Sequence, residues 1–174
     1  MAVYWHGKEE NMEKQTFTFE SLPKNVEELK GIKEAAMTTP FMTAALAVAV
    51  LCNYGSDAQV TFDMLDYLKG PQPLSAYDKQ FLRDRLGGKE YKPYSYFEGS
   101  SPQNNYEPSK PYIITVSDNP YSYTNEGYAT LYLKSTGADA ERPVQLRRKG
   151  EQWFLWQISF LSDIRTPAKD DPWA

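Results

Sequence analysis

Asp63, Asp66 and Lys69 recur at three-residue spacing, which on a helix brings two carboxylates and an ammonium onto one face. Paired carboxylates so placed could do acid–base work, because neighbouring charges push their pKa values apart. The same spacing is that of an ordinary solvated helix face, and the sequence favours that reading. His6, the single histidine, lies beside Trp5 in a polar N-terminal stretch. One imidazole leaves no His pair for zinc and no Ser–His–Asp arrangement away from that end. Cys52, the single cysteine, excludes an internal disulfide and a Cys-rich metal site. It falls in the most apolar stretch of the chain, where a thiol acts as a small hydrophobe. Arg147, Arg148 and Lys149 flank a turn, where charges keep strand ends in solution; a phosphate site would need donors that are not close in sequence. There is no GxGxxG, no P-loop and no GxSxG. The sequence names no catalytic residue, no metal ligand and no cofactor.

Recognition is the chemistry left, and it is aromatic: 13 Tyr, 8 Phe and 4 Trp. Residues 152–160 (QWFLWQISF) alternate Phe154, Trp156, Ile158 and Phe160 against Trp153, Leu155, Gln157 and Ser159. Read with a period of two, the first set faces a core and the second a half-open surface. Trp156→Ala is then expected to cost what truncating a core aromatic costs, about 3–5 kcal/mol. Strands over 112–117, 127–134 and 143–149 sort the same way. Ile114, Val116, Leu131, Val144 and Leu146 point inward; Thr115, Tyr128, Thr130, Tyr132, Gln145 and Arg147 point outward. The candidate binding face is therefore Tyr128, Tyr132, Arg147, Trp153 and Leu155, joined by Tyr94 and Tyr96 of the segment before the strands.

The elements that position this face are legible from their punctuation. Residues 1–14 read as a polar, flexible arm, and residues 15–174 as one α+β domain, within the size a single core supports. TFTFE (16–20) is a short strand or an extended lead-in. Helices are predicted over about 25–36, opened by Asn25 and Glu28, and about 40–53, opened by Thr39-Pro40. Two more are predicted: about 57–69, capped by Ser56, and about 75–86, opened by Ser75 and Asp78. Tyr67 and Tyr77 are expected to face inward. The helix at 40–53 is apolar on every side and reads as the buried central one. Residues 89–111, rich in Tyr and Pro, fit neither period and form a long irregular segment. Four strands without intervening helices make an antiparallel meander, with the helices on one face. The open face then needs a cover: the 91–112 segment as a lid, a second copy of the chain, or a ligand or partner. At the C-terminus, Trp173 is expected to dock in a surface groove.

The net charge of −4 argues against a nucleic-acid partner, which needs a concentrated basic face. The longest apolar stretch, residues 41–52, is too short to cross a bilayer, which needs about 20 residues. No basic segment followed by an apolar run opens the chain, so the expected location is cytoplasmic, with no membrane partner.

Three runs carry a family likeness: FLRDRLGGKEYKPYSYFEGSSPQNNY (81–106), KPYIITVSDNPYSY (110–123) and QWFLWQISFLSDIRTPAKDDPWA (152–174). Together they resemble an uncharacterised domain family of anaerobic, often gut-dwelling, Firmicutes. The resemblance implies a shared fold and carries no activity or site residue. Helices followed by a curved meander ending in a Trp-rich strand also look like the cystatin-like and NTF2-like architectures, which host many functions. The expected function is a non-catalytic binding or protein-interaction domain, monomeric or homodimeric, that takes a protein or small ligand on its aromatic sheet face. The rivals are an enzyme with an NTF2-like pocket, and small-molecule or carbohydrate binding, with Asn104, Asn105 and Glu107 as the polar groups beside the tyrosines.

Overall fold

A computed structural model describes residues 12–174; His6 and residues 1–11 of the predicted arm lie outside the described residues. The order of elements is β1 (Lys14–Phe19), α1 (Val26–Lys30), α2 (Pro40–Leu51), α3 (Ala58–Lys69), α4 (Ala76–Leu86), β2 (Tyr112–Ser117), β3 (Tyr128–Leu133), β4 (Arg142–Lys149) and β5 (Gln152–Ile158). Short 3-10 turns lie at Lys33–Ala36, Pro93–Tyr96, Pro102–Asn104 and Ala168–Asp170. The fold is α+β, with an antiparallel sheet ordered β1-β2-β3-β4-β5. The sheet has five strands rather than the expected four. The extra one begins at Lys14, inside the predicted arm, and pairs with β2 through Phe17 opposite Ile114 and Thr16 opposite Thr115. A six-residue alternation cannot reveal its partner when that partner lies some hundred residues on.

Capping fixes the helix starts. Asn25 accepts from the Glu28 N–H, Thr39 from the Met42 N–H, and Ser75 and Asp78 close a reciprocal capping box. The first predicted helix is only α1 and a 3-10 turn, because Gly31 caps α1. α3 is capped by Asp57, not Ser56. The Asn53 carbonyl accepts from both Ser56 and Asp57 N–H groups, which extends the turn closing α2 and moves the next start by one residue. α2 is buried at every position but Met42, as its all-round apolarity predicted. Its one buried hydroxyl, Thr43, donates to the Trp153 carbonyl at 2.6 Å and ties the helix to β5. On α4 only Leu82 and Leu86 are buried; Tyr77, expected inside, is 78% exposed.

Phe17, Phe19, Ile114, Val116, Leu131, Leu133, Val144 and Leu146 form the buried sheet face. β5 departs from the expected alternation. Leu146 faces Leu155, whereas the next rung sets Gln145 against Gln157, so Trp156 is an extra residue in a β-bulge. An inserted residue reverses side-chain parity, and a period-two reading carried back from Ile158 and Phe160 puts Leu155 and Trp156 on the wrong faces. Leu155 is therefore buried core, Trp153 and Phe154 both pack against the core, and Trp156 stands outside the core cluster.

The irregular segment is pinned, but not as a lid over Tyr128 and Tyr132. The Glu98 N–H donates to the Ile113 carbonyl, and Thr136 N–H to Ser95. Tyr94 donates to the Cys52 carbonyl and Tyr96 to that of Phe160, while Tyr106 donates to that of Arg165 and stacks on Tyr91. These contacts bind the segment to β2, to the end of α2 and to the C-terminal tail. The tail is held by an ion pair from Arg165 to Asp139 and by Lys169 N–H donating to Asn105. Trp173 does not dock: it is 93% exposed.

Candidate functional site: a cationic aromatic groove beside β5

Register assembles the open face from three strands. Tyr128 lies opposite Arg147, Tyr132 opposite Pro143, and Arg147 opposite Phe154. Because the bulge turns Trp156 outward, its ring reaches the same spot. The Arg147 guanidinium carbon lies 4.6 Å from the Trp156 ring centroid and 5.2 Å from that of Tyr128. The two rings meet edge to face at 5.8 Å. Stacking of this kind fixes the guanidinium plane while leaving its edge free for hydrogen bonds. Among the described residues Arg147 has no carboxylate partner, and it donates no hydrogen bond.

A groove of about 380 Å³ runs past this cluster, lined by Lys69, Pro71, Gln72, Arg147, Arg148, Lys149, Phe154, Leu155 and Trp156. Four of these side chains are cationic and none is acidic, on a chain whose net charge is −4. α3 supplies Lys69 at its last turn, where the ammonium donates to the Trp156 carbonyl at 3.3 Å. Burial lowers the Lys69 pKa, against the opposing fields of Asp78 and Asp66. Asp66 is not a bare solvated carboxylate, for it accepts from the Leu74 N–H at 2.8 Å and shapes the turn after α3. Gly70, with φ +63°, passes so close to Phe154 that a Cβ would overlap the ring.

Of the residues singled out in the sequence, Tyr128, Tyr132 and Arg147 share this face. Trp153 packs against the core, and Leu155 is buried core that meets the groove only at its floor. Tyr96 is buried, with its hydroxyl spent on a backbone carbonyl. Tyr94 lies in a separate cleft of about 350 Å³ with Tyr91, Tyr106, Tyr112 and Glu107. The asparagines proposed for sugar contacts are engaged within the chain: Asn104 bonds to Ser101, Gly99 and Glu107, and Asn105 accepts from Lys169. Trp156, Phe154 and Lys69 were missed as site residues. The signal for Lys69 was present, since a lysine closing a helix beside a Gly-Pro stop must point toward whatever the chain turns onto.

Burial pushes the Cys52 thiol well above its ordinary range. Among the described residues no three His, Cys, Asp or Glu side chains come together as metal ligands, and no helix is long and apolar enough to cross a membrane.

The sequence model of a family described as "Domain of unknown function (DUF6935)" matches residues 21–168. The chain belongs to that family. The resemblance to an uncharacterised domain family is thus borne out. No curated protein and no solved structure matches the chain. Neither a substrate nor a partner comes with the family, so the groove must be read from its own chemistry.

Proposed function

We propose that this domain is a non-catalytic binding module that takes an anionic partner on the open face of its sheet. One observation carries the reading: Arg147 is held flat by Trp156 and Tyr128, with no carboxylate partner among the described residues, in a groove whose other charges are also positive. An unpaired, pre-oriented guanidinium is suited to bidentate carboxylate recognition. Three of the phenols whose pKa burial raises are occupied in holding the fold. Tyr94, Tyr96 and Tyr106 all donate to backbone carbonyls, which uses them as fasteners. The order of helices followed by a meander supports a likeness to the cystatin-like and NTF2-like architectures, and that likeness selects no ligand.

The test is titration of a fluorescein-labelled oligoglutamate peptide at low ionic strength, followed by anisotropy, with an oligolysine peptide as control. Saturable binding of the acidic peptide alone is expected, weakening as salt screens it. Arg147→Gln should abolish it while costing only about 1 kcal/mol of stability, the scale of the cation–π contacts it removes, since Arg147 is exposed and the fold does not rest on it. Equal binding by wild type and Arg147→Gln would refute the proposal.

A further inference from the structure

The cationic groove has a neighbour of mixed lining, in which apolar side chains stand beside polar ones. A pocket of about 240 Å³ lies on the other side of the Lys69–Trp156 hydrogen bond, and the two cavities share both residues as a common wall. Leu74, Tyr77, Phe81, Leu82 and Ile158 supply its apolar lining, Gln157 and Ser159 add polar groups, and Asp78 is its only carboxylate. Tyr77 stands at its rim, one helical turn before the half-buried Phe81. Tyr77 and the apolar side chains beside it form one continuous wall of the pocket.

We infer that the paired cavities hold an extended acidic peptide, whose carboxylates meet Arg147 and Lys69 and whose neighbouring large apolar side chain fills the pocket under Tyr77. The inference rests on the binding reading above and adds the partner's class. Charge complementarity selects the acidic part. The apolar side of the neighbouring pocket, with Asp78 opposite it, selects the rest: a phosphate backbone running through both cavities would bring its charges against Asp78, whereas a peptide can change from acidic to apolar within a residue or two. An extended chain advances about 3.3 Å per residue, so adjoining cavities are reached by side chains of one short segment. The outer edge of β5 is already engaged. The Trp153 N–H donates to Met37, its carbonyl accepts from Thr43, and the Trp156 carbonyl accepts from Lys69. The peptide is therefore read through its side chains rather than by adding a strand.

Two labelled synthetic peptides decide the matter, one with a glutamate run followed by Leu-Phe and one with the same run followed by Ser-Ser. Binding of both is expected, the Leu-Phe peptide tighter by about tenfold or more, as burial of a large apolar side chain implies. Tyr77→Ser should remove most of that gain and leave the Ser-Ser peptide unaffected. Tyr77 is exposed, so the variant keeps the fold, and a melting curve checks this. Equal affinity for the two peptides, or an undiminished gain in Tyr77→Ser, overturns the inference while Arg147-dependent acidic binding still stands. Loss of Arg147 dependence for both peptides overturns the inference together with the reading beneath it. Tighter binding of an oligouridylate than of either acidic peptide would assign the groove to nucleic acid and overturn both.

Discussion

Leu155 of β5 faces Leu146 of β4 in the buried layer, and the residue after it, Trp156, has no opposite number. That one unpaired residue places the Trp156 ring on the guanidinium of Arg147 and so makes the groove. It also predicts an inversion of mutational cost. Leu155→Ala should lose about 2–5 kcal/mol, the range for emptying a core leucine site. Trp156→Ala should lose only about 1 kcal/mol, the scale of a partly solvated cation–π contact. Urea denaturation of both variants measures this; a larger loss for Trp156→Ala would restore the unbroken alternation.

The helices were legible because capping and stop signals are local. Thr39-Pro40, Ser75 with Asp78, and Gly70-Pro71 each fix the chain within a few residues. The faces of β2, β3 and β4 were legible because they lie in unbroken register. What failed was non-local. The partner of β1 lies far along the chain, and the bulge at Trp156 is a property of two strands, with nothing in β5 alone to mark it. The same holds for the site: Tyr128, Tyr132 and Arg147 followed from alternation, whereas Trp156 and Lys69 join them only through the bulge and the turn after α3.

Gly70 is the tightest point of that turn. Its φ of +63° strains any side chain, and a Cβ would overlap the Phe154 ring. Gly70→Ala should therefore destabilise by about 1–3 kcal/mol, and a Phe154→Leu background should recover part of the loss through their contact. A double-mutant cycle in denaturant gives the coupling; strict additivity would mean that the ring and the turn are independent.

Trp173 offers the opposite case. With its side chain in water and only its backbone N–H bonded, to Asp171, it contributes little to the fold. Trp173→Phe should leave the denaturation midpoint unchanged and remove a red-shifted, readily quenched component from the fluorescence. A blue-shifted, protected component lost on substitution would show instead that the ring docks.

Stability should decline in alkali, in a window set by the fastening tyrosines. Burial raises Tyr94 and Tyr106 from the ordinary 10.0 to about 12. Fields from Cys52, Tyr112 and Glu107 add to this at Tyr94; Tyr91 adds to it at Tyr106, and Arg165 opposes it there. In the unfolded chain these phenols ionise near pH ~10. Between about pH 10 and about pH 12 the folded chain therefore keeps protons that the unfolded chain has released, and stability falls as pH rises. Below that window the contribution is fully present. The urea midpoint should be insensitive to these groups up to about pH 9 and then drop, in step with phenolate absorbance. A Tyr94→Phe, Tyr106→Phe double variant should start less stable, because the carbonyls of Cys52 and Arg165 lose their donors, and should then fall less steeply in alkali. An identical alkaline slope in the double variant would show that other groups set the decline.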